Sequence, residues 1–333
     1  MSEGVFIIAE AGVNHNGSVD LAKKLIEAAA EAGADAVKFQ SFKATLLVSK
    51  NTPKAEYQKN QENLGEGQLE MLKRLQLDEA AHIELIKHAD EMGIMFMSTP
   101  FDHDSIELLN KLELKVFKIG SGDLTNVPYL RHIASLNKTV ILSTGMADME
   151  EVRQSVQVLL EAGMSIQDIT LLHTNTDYPT NYSDVNLLAM NSLARYFGTR
   201  VGYSDHTRGI EVPVAAVALG ARVIEKHFTL SRDMQGPDHK ASLEPDELKA
   251  MVRSIRNVEA AMGDGVKKPS ISESKNIVAA RKSIVALVDI EKGELFTEAN
   301  LTVKRPGNGV SPLMWDKIIG NKAEKDYKKD DLI

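Results

Sequence analysis

Residues 200–228 read RVGYSDHTRGIEVPVAAVALGARVIEKHF. Arg200–Ser204 is a short β-rich run, and Ile210–Leu219 carries apolar residues at helical spacing. Gly220 follows, a residue that tolerates the left-handed conformation terminating a helix. Val223–Phe228 is then a second β-rich run. A strand, a helix and a strand within about 30 residues make one βαβ unit.

The same period extends back to the N-terminus. Further strands are expected at Val5–Glu10, Ala36–Gln40, Ile94–Ser98, Val116–Ser121, Thr139–Thr144 and Ile169–Asn175, bringing the total to eight. Helical spacing marks Val19–Ala32, Glu79–Met92 and Glu150–Ala162, with Gly33, Gly93 and Gly163 as stops and Ser18 and Asp78 as N-caps. Eight βα units are the count of a (β/α)8 TIM barrel. A doubly wound open sheet is the alternative, but no Gly-rich dinucleotide fingerprint follows the first strand. The stretch from about Ala44 to Leu75, with NTPKAEYQKNQENLGEGQ at its centre, reads as one long polar loop on the face where barrel active sites lie. The expected division is a catalytic barrel over 1–265, a polar linker over 266–280, and a tail of short strands and turns over 281–333. That tail is too small to bury much core alone.

With 333 residues, 43% of them hydrophobic, the chain can bury a sizeable core. A net charge of −8 argues against a nucleic-acid binder, though a few lysines in a cleft still serve a small anion. There are no cysteines, so disulfides and thiolate metal sites are excluded. Neither a signal peptide nor an apolar run of membrane-spanning length is visible, and the expected location is the cytoplasm.

Chemistry collects at the carboxyl ends of the eight strands. These carry Glu10; Lys38 and Gln40; Ser98 and Thr99; Lys118 and Ser121; Ser143 and Thr144; His173, Thr174 and Asn175; Ser204, Asp205 and His206; and Glu225, Lys226 and His227. Polar groups inside barrel strands are costly unless paired, so such a series converging on one face marks a site. His206 and His227 fall at equivalent positions of adjacent strands, which suits one divalent metal with open coordination positions; the alternative is two imidazoles hydrogen-bonded into a polar barrel top. Lys38, Lys118 and Lys226, with Ser121, Ser143 and Ser204, are what phosphate and carboxylate groups require. A buried lysine also suits a Schiff base, and sequence leaves both readings open. His15 follows the first strand and joins the site's candidates, whereas His82, His88, His103 and His132 read as surface or packing residues. Arg305 stands alone in the tail, where a surface role is the ordinary reading.

The stretches IIAEAGVNHNG, VKFQSFKA, STPFD, KIGSGDLTNVPYL, STGMA, YSDHTRG, EKHFTL, GPDHKASLEPDEL and VKRPGNG span nearly the whole chain. Together they resemble the sialic acid synthase family. The resemblance implies a TIM barrel joined to a small antifreeze-like (SAF, β-clip) domain in a domain-swapped homodimer. It implies a synthase condensing phosphoenolpyruvate with an N-acylated mannosamine-type sugar. By motif, His206 and His227 would bind a divalent cation, typically Mn2+, with Mg2+ or Co2+ possible. Lys38, Lys118, Ser121, Ser143 and Ser204 would hold phosphoenolpyruvate, as would Asn175 or Thr176. Glu10 would sit beside the reacting carbons, Gln40, Tyr178 and Asp238 near the acceptor, and Arg305 would reach the N-acyl group from the partner chain.

The reading leans toward N-acetylmannosamine as acceptor and N-acetylneuraminate as product. The alternative is N,N'-diacetyllegionaminate made from 2,4-diacetamido-2,4,6-trideoxymannose. A Schiff-base aldolase or lyase is the chemical rival. Ice binding, prompted by the tail, fits poorly with a charged barrel mouth.

Overall fold

A computed structural model describes residues 4–50, 52–53 and 67–333. Eight parallel strands form one sheet: β1 (Phe6–Gly12), β2 (Ala36–Ser41), β3 (Met95–Pro100), β4 (Val116–Ile119), β5 (Thr139–Ser143), β6 (Ile169–Thr174), β7 (Arg200–Asp205) and β8 (Val223–His227). Hydrogen-bonded order runs β3-β2-β1-β8-β7-β6-β5-β4, and β3 packs beside β4, so the sheet closes into the expected barrel.

The alternation of side chains builds two cores. Inward-facing Phe6, Ile8, Ala36, Met97, Ile141, Leu172 and Val223 fill the lower barrel. The opposite faces of the same strands, among them Ile7, Val37, Phe117, Val140, Leu171 and Ile224, pack against the apolar stripes of the surrounding helices. Thus α1 (Val19–Ala32) buries Ala22, Leu25, Ile26 and Ala29. Its Ser18 hydroxyl accepts from the Leu21 amide, and left-handed Gly33 ends it. Burying each such leucine or isoleucine contributes roughly 1.5–3 kcal/mol.

The stretch from Ala44 to Leu75 is not one loop. Its described parts include α2 (Ala44–Leu47) and α3 (Gln68–Leu75); residues 51 and 54–66 lie outside the described residues. The reason is amphipathicity: Met71, Leu72 and Leu75 of α3 form a small separate core with Val13, Phe42 and Ala44. Capped by Asp78, α4 (Glu79–Glu91) follows, and the other connecting helices are α5 (His103–Lys111), α6 (Val127–Ser135), α7 (Met149–Glu161), α8 (Ala189–Phe197) and α9 (Glu211–Ala218), with α10 (Pro245–Met262) after β8.

The chain divides after Gly263. In the second unit, the segment expected to be a linker carries α11 (Ile271–Ala280), because Ser270 and Glu273 form a reciprocal capping box at its start. Strands β9 (Ser283–Ala286) and β10 (Leu301–Lys304) pair antiparallel over Ile284, Ala286, Ile290, Phe296, Leu301, Ala323 and Tyr327. Among the described residues no helix is long and apolar enough to cross a membrane.

Interior packing makes a sharp stability prediction. A Cβ on Gly202 of β7 would lie 2.2 Å from the Val223 carbonyl oxygen and 2.7 Å from Leu172 Cδ2. Gly202→Ala is expected to lower unfolding free energy by about 1–3 kcal/mol in urea titrations. Gly122→Ala, where nothing lies within 4 Å, should stay within about 0.5 kcal/mol of the parent.

Candidate active site

Above the apolar layer every inward position turns polar. On β1 the inward series is Phe6, Ile8, Glu10; on β2 it is Ala36, Lys38, Gln40; on β8 it is Val223, Glu225, His227. Four charges meet in this layer, all with 5% or less of their surface exposed. The Lys38 ammonium lies 2.7 Å from Glu10 Oε2 and 3.6 Å from Glu225 Oε2, and donates to Thr99 Oγ1 at 2.9 Å. Lys118 lies 3.6 Å from Glu225 Oε1 and donates to Ser143 Oγ at 2.7 Å. The Ser204 hydroxyl donates to Glu225 Oε1 at 2.8 Å, and the Gln40 amide donates to Glu10 Oε1 at 3.4 Å. Two cations and two anions cancel, which is how a barrel interior tolerates them.

Burial and pairing push the four groups apart. Burial drives the Glu10 carboxyl up to about 7 against the pull of Lys38. For Glu225 burial acts the same way, but Lys118, Lys38 and the Ser204 hydroxyl overcome it and hold the group at about 2. Burial brings Lys118 down to about 8, whereas at Lys38 Glu10 and Glu225 overcome burial and raise it. Glu10 and Lys118 are therefore the members of the set brought nearest to neutrality, Glu10 from below and Lys118 from above.

One step further out stand the two histidines, His227 two residues beyond Glu225 and His206 just past the end of β7. Their rings lie 5.3 Å apart, and the Tyr178 ring packs 4.1 Å from His206 and 5.7 Å from His227. Burial lowers His206 to about 4 and, with His206 beside it, keeps His227 well below the usual imidazole range. Both are neutral at pH 7, the state that ligates metals. His206 Nδ1 is held by the Asn175 carbonyl oxygen, leaving Nε2 as its acceptor nitrogen. His227 Nδ1 is buried without a hydrogen-bond partner. Among the described residues no group of three or more His, Asp or Glu is arranged for a metal ion.

A donor-rich rim completes the mouth on the β4–β6 side. Gly145 donates its amide to Ser121 Oγ at 3.0 Å, and a Cβ there would meet Ser121 Oγ and Thr176 Cγ2, both at 2.8 Å. Ser121 itself lies in a short 3-10 turn past the end of β4. Across the mouth, Gln40, Tyr178, His227 and Asp238 line a pocket with Val13, Pro237 and the α3 residues Met71, Leu72 and Leu75.

Other residues singled out in the sequence make their contacts outside the quartet. Lys226 faces outward, since alternation sends Glu225 inward, and its ammonium pairs with Asp205 and the Thr207 carbonyl oxygen. His173 likewise turns out of the barrel to Val185 O. His15 is buried near Phe39, with Nδ1 accepting from the Gly17 amide. His82 packs between Ser41 and the Asp78 carbonyl, as its helical position implied. Arg305 belongs to the second unit, where Nε donates to the Ala280 carbonyl at 3.1 Å. Glu225 and Thr99 are the residues to which sequence assigned no role. The signal for Glu225 was available: two inward lysines require two inward carboxylates, and Glu225 shares a strand face with His227.

Known proteins resemble this chain over nearly its whole length. The NeuB family model matches residues 25–267 and the SAF domain model residues 281–333. The chain is 58% identical to the N,N'-diacetyllegionaminic acid synthase of Campylobacter jejuni, covering 98% of both chains. It is 50% identical to the synthase of the same acid from Legionella pneumophila, over 95% of this chain and 90% of that one. The crystal structure of the N-acetylneuraminic acid synthetase of Leptospira borgpetersenii superposes with a TM-score of 0.74 at 34% identity, covering 83% of this chain and 90% of that one. The family models and these relatives together define a synthase of the sialic acid type. The chain belongs to the NeuB family, the sialic acid synthases, and carries that family's SAF domain.

The charge quartet is testable through stability. Glu225 has a depressed pKa, so its stabilising share is present above about 4.5 and lost as pH falls toward 2. Glu225→Gln should cost about 3–5 kcal/mol at pH 7.5, because Lys38 and Lys118 are left with Glu10 alone. In urea titrations the variant's fall in stability between pH 4.5 and 2 should be smaller than the parent's, by the share that Glu225 contributes.

Proposed function

We propose that the chain condenses phosphoenolpyruvate with 2,4-diacetamido-2,4,6-trideoxymannose and water, giving N,N'-diacetyllegionaminate and phosphate. The observation that carries the condensation is the vertical pairing of a neutral-by-cancellation lysine–carboxylate layer with two neutral imidazoles directly above it. Identities of 58% and 50% to two synthases of the legionaminic acid support that acceptor, against 34% to a neuraminic acid synthetase. N-acetylmannosamine, favoured on sequence alone, becomes the comparison substrate.

In this reading Lys38 and Lys118 receive the carboxylate and phosphate of phosphoenolpyruvate, with Ser121, Ser143, Ser204 and Thr176 completing the anion site. Thr176 is preferred to Asn175, whose amide nitrogen is engaged by the Asp184 carbonyl and whose own carbonyl holds His206. Carbon three of phosphoenolpyruvate bonds to the aldehyde carbon of the open-chain sugar, whose oxygen takes the proton of Glu10, leaving carbon two electron-poor. Water adds at carbon two, one proton passing back to Glu10, and the carbon–oxygen bond to phosphate then breaks, the remaining hydroxyl proton leaving with the phosphate. Gln40, Tyr178 and Asp238 orient the sugar. His206 and His227 would hold a divalent cation, most suitably Mn2+, with Mg2+ or Co2+ as alternatives. Two buried neutral imidazoles, one with an unpartnered nitrogen, fit such an ion. When bound, the ion polarises the aldehyde oxygen.

The test follows phosphate release and product mass with phosphoenolpyruvate, Mn2+ and each sugar in turn. Acceptor-dependent release, abolished by chelator and by His227→Ala, is expected. Because the anion enters with Glu10 protonated, kcat/KM should fall as pH rises through about 7. Glu10→Gln should lose about 10²–10⁴-fold in rate and flatten that limb. A second reading rests on Lys118, whose lowered pKa also suits a Schiff base. Borohydride trapping of pyruvate on Lys118, with no phosphate release from either sugar, would replace the synthase reading.

The homodimer is part of the proposal, with Arg305 of one copy serving the acceptor bound in the other. Arg305→Ala and Glu10→Gln chains, each inactive alone, should regain activity when co-expressed. Light scattering at the mass of one chain, or no regained activity, removes this part.

A further inference from the structure

The pocket lined by Gln40, Tyr178, His227 and Asp238 is two-sided. Its polar side includes a carboxylate in want of a donor. Asp238 is 8% exposed, burial raises its pKa to about 6, and no described residue donates to or neutralises its side chain. The opposite side is apolar: Met71, Leu72 and Leu75, three residues of one face of α3, with Val13 and Pro237.

That apolar side is built into the fold. A Cβ on Gly17 would lie 2.2 Å from the Arg74 carbonyl oxygen, so the C-terminal turn of α3 rests directly on the backbone of the loop after β1. Gln76, just past α3, accepts a hydrogen bond from the Ala44 amide at 3.0 Å. On its other flank the α3 face packs on Phe42 and Ala44. A helix fixed at these points offers a pocket a shaped wall.

We propose that this face of α3 is the element that selects the acceptor, receiving the methyl carbon at position six of a 6-deoxy sugar where a hydroxymethyl group would bury an unpaired hydroxyl. The inference rests on the condensing function above and specifies how its substrate class is read. A sugar with one apolar end matches both sides of the pocket: hydroxyl or acetamido N–H groups turn to Asp238 and Gln40, and the methyl turns to Leu72 and Leu75. A buried hydroxyl without a partner is costly, whereas an exchange of one methyl for one hydroxymethyl in a polar pocket is nearly neutral.

The experiment compares kcat/KM for 2,4-diacetamido-2,4,6-trideoxymannose and for N-acetylmannosamine in the full chain, in Leu72→Asn and in Leu75→Asn. The parent should prefer the 6-deoxy acceptor. The Asn variants should lower that preference at least about tenfold, with the loss in KM for the 6-deoxy sugar and KM for phosphoenolpyruvate unchanged. Thermal melts check folding. If either variant fails to fold, Leu72→Met and Leu75→Val reshape the wall without adding polarity, and a shift of the ratio by a few-fold is expected. A ratio within twofold of the parent in every folded variant overturns the proposal and leaves the condensing function standing. So does a parent that prefers N-acetylmannosamine. No phosphate release with either sugar overturns the condensing function itself, and this proposal with it.

Discussion

The interaction on which the upper half of the barrel depends is the exchange of charge among Glu10, Lys38, Glu225 and Lys118. Each group alone would carry a desolvation penalty of several kcal/mol, and only the set makes a barrel interior hospitable to ions. Glu225 sits between the two ammonium groups at 3.6 Å from each. Glu10 contacts Lys38 alone among these at hydrogen-bonding distance. That asymmetry explains why one carboxyl is held at about 2 and the other stands at about 7. One carboxylate keeps the charge balance while the other is free to change protonation state.

The wall around the quartet is organised by the same period-two alternation that forms the barrel. On β7 and β8, Ser204 and Glu225 face in while Asp205 and Lys226 face out and pair with each other. A second buried ion pair thus sits behind the first, on the helix side of the sheet. It ties β7 to β8 next to the two histidines, and Lys226 also holds the Thr207 carbonyl just beyond His206. A residue type that looked like site chemistry is instead support for the strand ends that carry it.

Much of this was legible in sequence because period and punctuation are local properties. The βα repeat, the capping by Ser18 and Asp78, and the collection of polar residues at strand ends follow from residue type and spacing alone. What failed did so where the answer depended on face or on partner. Lys226 was a candidate as a cation within an apolar strand and His173 as a polar residue at a strand end, yet a one-residue step reverses the direction of a side chain in a strand. The stretch read as linker also holds a helix that its composition did not announce, started by the capping box of Ser270 and Glu273 and burying none of its residues. The eight residues of α3 were hidden in a polar loop because their apolar face is completed only by Val13, Phe42 and Ala44. Glu225 was visible as a residue and overlooked as a requirement; counting inward charges on the eight strands would have demanded it.

The quartet also constrains what the proposed reaction can do with its anion. Phosphoenolpyruvate would bring at least two negative charges into a layer whose own charges already sum to zero. Lysines already neutralised by carboxylates attract a further anion only weakly unless one carboxylate is discharged. Glu225 does not serve, since it is ionised down to about 2 and bridges both cations. Glu10, near 7, takes a proton at little cost when the anion arrives, and Lys38 is then released toward the substrate. The same carboxyl would thus admit the substrate by protonation and, once it has passed that proton to the aldehyde oxygen, receive another from the water that adds. A single group set near neutrality by burial meets both demands, and the fixed charge of Glu225 beside it keeps Lys118 in place while Lys38 turns.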